Sequence, residues 1–101
     1  MTVYISGPIT EVDGYMELFE AVEARLKAKG YEVINPAKVN AQMPPTTTYE
    51  GYMDMSLAMI KQADAIYLLY GFEKSIGAMR EYWFAIGAGM KIMKEGEDGA
   101  V

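Results

Sequence analysis

The chain contains no cysteine and no histidine. The first absence excludes disulfides and thiolate metal sites. The second removes the commonest general base, the Ser–His nucleophile pair and most zinc chemistry. Any catalysis therefore falls to carboxylates, hydroxyls, Lys or Tyr. Positive charge is scarce as well: 9 Lys and Arg against 14 Asp and Glu leave a net charge of −5. A protein that tracks a phosphate backbone needs a basic face, so a nucleic-acid polymer is a disfavoured partner. A single small phosphate stays within reach, because backbone N–H groups can hold one. No apolar run approaches the length of a membrane span. No basic stretch or cleavage site accompanies Met1-Thr2-Val3-Tyr4-Ile5, which runs straight into a strand pattern. The expectation is a cytoplasmic protein with no signal peptide, no membrane partner and no cofactor.

What is present suits one small globular domain. The chain has 101 residues, 51% of them hydrophobic and 23% charged, enough for a real core with little to spare. Val3-Tyr4-Ile5-Ser6 reads as a buried strand ended by Gly7-Pro8. Tyr15, Leu18, Phe19, Val22 and Leu26 recur at helical spacing, Glu17, Glu20, Glu23, Lys27 and Lys29 fill much of the other face, and Gly30 stops the helix. Tyr31 to Ile34 is a second short strand, ended by Asn35-Pro36. Residues 37–48, with Pro44-Pro45 and three threonines, read as a loop. A second helix carries Tyr49, Met53, Leu57 and Ile60. Ala65 to Tyr70 is apolar on both faces, as a central parallel strand should be. Gly71 to Ser75 turn the chain into a third helix from about Ile76 to Gly89. Lys91-Ile92-Met93 is a last strand. Residues 94–101 read as an acidic, Gly-rich tail, mobile unless a partner holds it. No internal repeat appears.

The alternation β-α-β-α-β-α-β predicts an α/β fold: a single-domain, doubly wound parallel sheet of Rossmann or flavodoxin-like type, strand order 2-1-3-4, with helices on both faces. Ligands in such sheets sit beyond the carboxyl ends of the strands at the switch point. Here that point lies between strands one and three, where the loops are Ser6-Gly7-Pro8-Ile9-Thr10 and Gly71-Phe72-Glu73-Lys74-Ser75. Ser75 suits an N-cap, Gly77 lets a ligand approach the backbone, and the first-turn N–H groups attract an anion. Glu81, at i+4 from Gly77, can face the same crevice. Each piece has a plain reading: a capped helix with an acidic residue near its positive end, a strand-ending turn at Ser6-Gly7-Pro8, a core tyrosine at Tyr4. Asp64 reads as a turn or cap residue.

Taken together, Tyr4-Ile5-Ser6-Gly7-Pro8, Ala63-Asp64-Ala65-Ile66-Tyr67 and Ser75-x-Gly77-x-x-x-Glu81-x-x-x-Ala85 resemble the nucleoside 2-deoxyribosyltransferase-like proteins. The spacing is similar to the branch that cleaves 2′-deoxynucleoside 5′-monophosphates, and to small, often phage-encoded relatives. The likeness covers residues 1–93. It implies roles. Glu81 matches the nucleophile that attacks the anomeric carbon of deoxyribose, through an oxocarbenium-like transition state. Tyr4 matches the residue that orients that carboxylate. Ser75 and Gly77 match the contacts to the 5′-phosphate or hydroxyl. Gly7, Pro8 and Ile9 match the loop beside sugar and base, with Ser6 preceding them.

Two departures bear on chemistry. The family carries a second catalytic acid eight residues before the strand-opening Asp. Counting back from Asp64, that position is Ser56, which cannot protonate a leaving base as a tuned carboxylic acid does. Asp54 lies two residues away, a rotation of about 200° along a helix, so it should face elsewhere. Family enzymes also lend residues to a neighbouring subunit from beyond the last strand, and Glu97-Asp98-Gly99-Ala100 match none of them. The binding half of the site reads as kept and the chemical half as eroded.

The expectation is therefore a binder of a nucleotide or nucleoside-like molecule, in a phage setting a sponge for a nucleotide immune signal. The alternative is an active N-glycosidase or deoxyribosyltransferase built on Glu81. Tyr49 and Tyr52 are either a lid that stacks on a base or ordinary helix packing. Tyr82-Trp83-Phe84 point three ways around one helix, more than a domain this small can bury, so a homo-oligomer is expected. The nine methionines read as adaptable core.

Overall fold

The structure is a computed structural model and describes residues 1–9 and 12–97. Four strands form one parallel sheet in the order β2-β1-β3-β4. The strands are β1 (Thr2–Ser6), β2 (Glu32–Ile34), β3 (Ala65–Leu68) and β4 (Lys91–Lys94). The helices are α1 (Tyr15–Ala28), α2 (Pro36–Asn40), α3 (Tyr49–Ile60) and α4 (Ile76–Gly87), with a 3-10 turn at Phe72–Lys74. None of the described helices is long and apolar enough to cross a membrane.

The period-two alternation of a strand sorts residues onto two faces. Val3, Ile5, Ala65, Tyr67 and Leu69 pack with Phe19, Val22 and Leu26 of α1 and Ala37 of α2. Tyr4, Ile66 and Leu68 point the other way, onto Ile60 of α3 and Ala85 of α4. Both faces of the sheet are thus covered, as parallel strands require. The central pair is in register with Tyr4 opposite Ile66 and Ser6 opposite Leu68. Asp64 sews the edge of this pair: its carboxylate accepts from the Thr2 amide at 2.9 Å, and its own amide donates to the Thr2 carbonyl at 2.8 Å.

Several expectations need correction. The stretch after Asn35 is not all loop, because Pro36–Asn40 is α2. Asn35 caps it by accepting from the Ala37 amide at 3.0 Å, and proline at the first helical position is already set to helical φ. Glu23 is not on a solvated face. It is 8% exposed, and its carboxylate accepts from the Asn35 side-chain carboxamide and pairs with the Lys27 and Lys38 ammonium groups. The central strand ends at Leu68 rather than Tyr70. Leu69 still donates to the Ser6 carbonyl, but Gly71 at φ 84° starts the 3-10 turn and Tyr70 swings into solvent at 72% exposure. α4 ends at Gly87, two residues short of the expected Gly89.

The start of the expected tail is also held. Lys94 belongs to β4. The Glu95 amide donates to the Leu68 carbonyl, and its carboxylate accepts from the Tyr70 amide at 3.0 Å and from Arg25 at 3.2 Å. Residues 98–101, the rest of that tail, lie outside the described residues, as do Thr10 and Glu11.

Candidate ligand site

At the carboxyl ends of the strands, a cavity of about 270 Å³ opens between the loop after β1 and the first turns of α3 and α4. That is just below the roughly 300–1,000 Å³ of most small-molecule sites. Its position at the reversal of strand order, between β1 and β3, is the switch point of a doubly wound sheet.

Glu81 forms its floor. α4 starts at Ser75, whose hydroxyl accepts from the Ala78 amide at 3.2 Å. Glu81 follows on the buried side of that helix, at 8% exposure. β1 rises to meet it with its even-numbered residues. The Ser6 hydroxyl donates to Glu81 Oε1 at 2.6 Å and the Tyr4 hydroxyl donates to Oε2 at 3.1 Å. Ser56, 4% exposed, comes from α3 onto the same carboxylate. Burial pushes the Glu81 carboxyl above its ordinary value, against the downward pull of the Ser6, Tyr4 and Ser56 hydroxyls. Burial also pushes the Tyr4 phenol well up, and the Glu81 charge beside it adds to the rise. Tyr4 is thus both things the sequence allowed: a fully buried core residue and a hydrogen-bond donor to a carboxylate.

The glycines divide the work. A Cβ on Gly7 meets Leu69 Cβ at 2.8 Å, so Gly7 lets the loop after β1 lie against the end of β3 while lining the cavity. A Cβ on Gly77 meets Tyr49 Oη at 3.5 Å and Met53 Sδ at 3.6 Å. Those are ordinary contacts, so the protein does not need glycine there. The atom would instead occupy cavity space.

Of the residues expected at the site, Gly7, Ile9, Ser56, Ser75, Gly77 and Glu81 line the cavity. Ser6 and Tyr4 reach it through Glu81. Pro8 does not line it and stands beside Gly71. Asp54 is exposed and absent from the lining. Tyr49 and Tyr52 do line the cavity. The Arg80 guanidinium lies 5.7 Å from the centre of the Tyr49 ring and makes a two-pronged contact with Glu50, at 2.9 and 3.1 Å. Sequence reasoning missed Tyr15 and Asn40, which also line the wall. Tyr15 was assigned to the core face of α1, and Asn40 sits at the end of the short helix read as loop.

Two features of the lining limit its chemistry. Among the described residues, Glu81 is the one carboxylate in the lining, and no Lys or Arg stands there. Among these residues an anionic group would meet neutral donors: the first-turn amides of α4 and the lining hydroxyls. Among the described residues no three metal-ligating side chains gather.

Residues 1–94 match the family model described as a domain of unknown function, DUF4406, and the chain belongs to that family. No curated protein matches it.

Proposed function

We propose that this protein binds a nucleotide-derived small molecule in the cavity above Glu81 and does not turn it over. One observation carries the reading: Glu81 is a buried carboxylate held by the Tyr4 and Ser6 hydroxyls, with no second acid on the cavity wall among the described residues. Such a carboxylate accepts hydrogen bonds from ligand hydroxyls. Release of a nucleobase calls as well for a group that protonates the leaving base, and Ser56 stands where the resemblance to deoxyribosyltransferase-like proteins asks for that acid. The α4 amides suit a phosphate, and the tyrosines beside the cavity suit a flat ring. Holding a nucleotide without cleaving it is what a sequestering protein does.

The second reading, an N-glycosidase or deoxyribosyltransferase, is favoured by Glu81 itself, since a carboxylate against a sugar is the nucleophile of retaining glycosyl transfer. Incubation with a panel of 2′-deoxynucleoside 5′-monophosphates, followed by chromatography, decides between them. The expected result is recovery of intact ligand from denatured protein, with binding lost in Glu81→Ala. Free base released by the wild type and not by Glu81→Ala overturns the binder reading.

We also propose that copies of this chain associate through α4. Ile76, Trp83 and Ile86 are 78%, 61% and 44% exposed on it. Light scattering of wild type and Trp83→Lys tests this. A monomeric wild type at micromolar concentration rejects it.

A further inference from the structure

The fold buries two carboxylates to the same degree and treats them differently. Glu23 and Glu81 are each 8% exposed. Glu23 meets two ammonium groups, Lys27 at 2.7 Å and Lys38 at 3.0 Å. Glu81 accepts from hydroxyls, Ser6 at 2.6 Å and Tyr4 at 3.1 Å. Among the described residues no Lys or Arg pairs with it, and residues 10, 11 and 98–101 contain neither. Both of its oxygens accept, which is the arrangement of the ionised form. Buried charges are ordinarily paired. Beside this one lies a cavity whose wall is rich in electrons. Tyr15, Tyr49, Tyr52 and Met53 line it. Tyr49 Oη and Met53 Sδ stand 3.5 and 3.6 Å from where a Gly77 Cβ would be. The Tyr49 ring already holds one cation, the Arg80 guanidinium at 5.7 Å from its centre. Arg80 lies outside the lining, with its charge on Glu50.

We infer that the site selects a nucleoside or nucleotide whose base carries a positive charge, a ring cation such as an N-substituted pyridinium or an N-alkylated purine, held among the tyrosines in the field of Glu81. The inference rests on the nucleotide-binding reading above and narrows its ligand class. A cation over an aromatic face is attracted by the ring quadrupole, more strongly where water is excluded. A carboxylate in a partly desolvated cavity acts on that cation through a lower effective dielectric than water's. Glu81 and the tyrosines line one cavity of about 270 Å³, so a ring held there cannot stand far from the carboxylate. A neutral base of the same shape receives neither attraction and leaves the buried charge unpaired. The competing account is that Glu81 takes up a proton in the bound state, and it predicts no preference for charge.

Calorimetric titration of the intact chain with two matched pairs of nucleosides tests it. At neutral pH 1-methyladenosine is a cation and its isomer N⁶-methyladenosine is neutral. Nicotinamide riboside is a pyridinium cation, and its 1,4-dihydro form is neutral at nearly the same size. The expected result is a preference of about ten-fold or more for the cationic member of each pair, falling below about three-fold in Glu81→Gln. Tyr52→Leu keeps the carboxylate and loses the ring, so it should weaken the cationic member more than the neutral one. Equal binding of the two members, or an unchanged preference in Glu81→Gln, overturns the inference and leaves the binding reading standing. Failure of all four nucleosides while a 2′-deoxynucleoside 5′-monophosphate binds does the same. Failure of the nucleosides and the monophosphates alike overturns the nucleotide reading and this inference with it. Circular dichroism checks each variant's fold. Should Glu81→Gln not fold, Tyr52→Leu decides, and equal weakening of both members overturns the inference.

Discussion

Ser6 and Glu81 stand 75 residues apart in sequence and meet in the interior through a 2.6 Å hydrogen bond from hydroxyl to carboxylate. The contact joins the end of β1 to the first turns of α4. It places a carboxylate where burial opposes its charge.

That opposition has a sign. Glu81 has its folded pKa raised above the ordinary value near 4.5. Its contribution to stability is fully present below that value and is lost as pH rises through the folded pKa. We predict that Glu81→Gln raises the melting temperature at pH 7 by a few degrees, as replacements at ligand sites often do. The gain should shrink toward pH 4. Thermal denaturation across pH 4–8 checks it. A variant less stable than wild type at every pH would show that the hydrogen bonds outweigh the buried charge.

Glu23 runs the other way. Lys27, Asn35 and Lys38 hold its carboxyl down at about 2. Its contribution is present above about 4.5 and drains away as pH falls toward 2. Both lysines are half in solvent, so screening leaves on the order of 1 kcal/mol. Glu23→Gln should therefore lower stability at pH 7 and come level with wild type near pH 2. Urea denaturation at the two pH values measures the difference, and an equal deficit at both contradicts the assignment.

The two cavity glycines should respond in opposite ways. Gly7→Ala forces a Cβ against Leu69 Cβ at 2.8 Å and should destabilise by roughly 1–3 kcal/mol. Leu69→Ala should not rescue it, because alanine keeps the offending atom. Gly77→Ala meets only ordinary contacts and replaces glycine inside a helix, so stability should hold or rise by up to about 1 kcal/mol. Ligand affinity should fall, because the new methyl takes cavity space. Denaturant melts and a binding titration on both variants suffice. Unchanged affinity in Gly77→Ala would move the ligand away from the α4 terminus.

The Arg80–Glu50 pair ties the first turn of α3 to α4 beside the cavity mouth. Both groups face solvent, so global stability should barely change in Arg80→Gln. Amide hydrogen exchange in residues 49–53 should quicken, and more so at low salt, where the wild-type pair is strongest. Exchange rates equal to wild type would show that the turn is held by its N-cap Thr48 alone, whose hydroxyl accepts from the Gly51 amide at 3.0 Å.

The architecture was legible because the hydrophobic pattern of a doubly wound sheet is simple. An apolar strand at residues 65–68 and helical repeats on either side leave little choice of topology. Tyr4, Ser6 and Glu81 could be placed at one end of the sheet because strand ends and helix starts converge there in every such fold. What was hidden depended on short-range capping or on long-range pairing. Asn35 and Pro36 hold the whole start signal of α2, and a helix of 5 residues shows no periodicity. Glu23 looked solvated because its partners Asn35 and Lys38 lie beyond the next strand. Asn40 carries no pattern at all, because it closes that same short helix.

The alternation along β1 has a consequence for how such a site can change over time. Val3 and Ile5 serve the α1 core while Tyr4 and Ser6 serve the Glu81 face. A one-residue slip would exchange the two sets and ruin both. The facing of Tyr4 and Ser6 toward Glu81 is therefore fixed by the same register that builds the core. Ser56, Tyr49, Tyr52 and Asn40 stand on α3 and α2, outside the sheet. Substitutions at those positions leave the β1 register untouched, so the cavity wall can change its chemistry while Tyr4 and Ser6 keep their hold on Glu81.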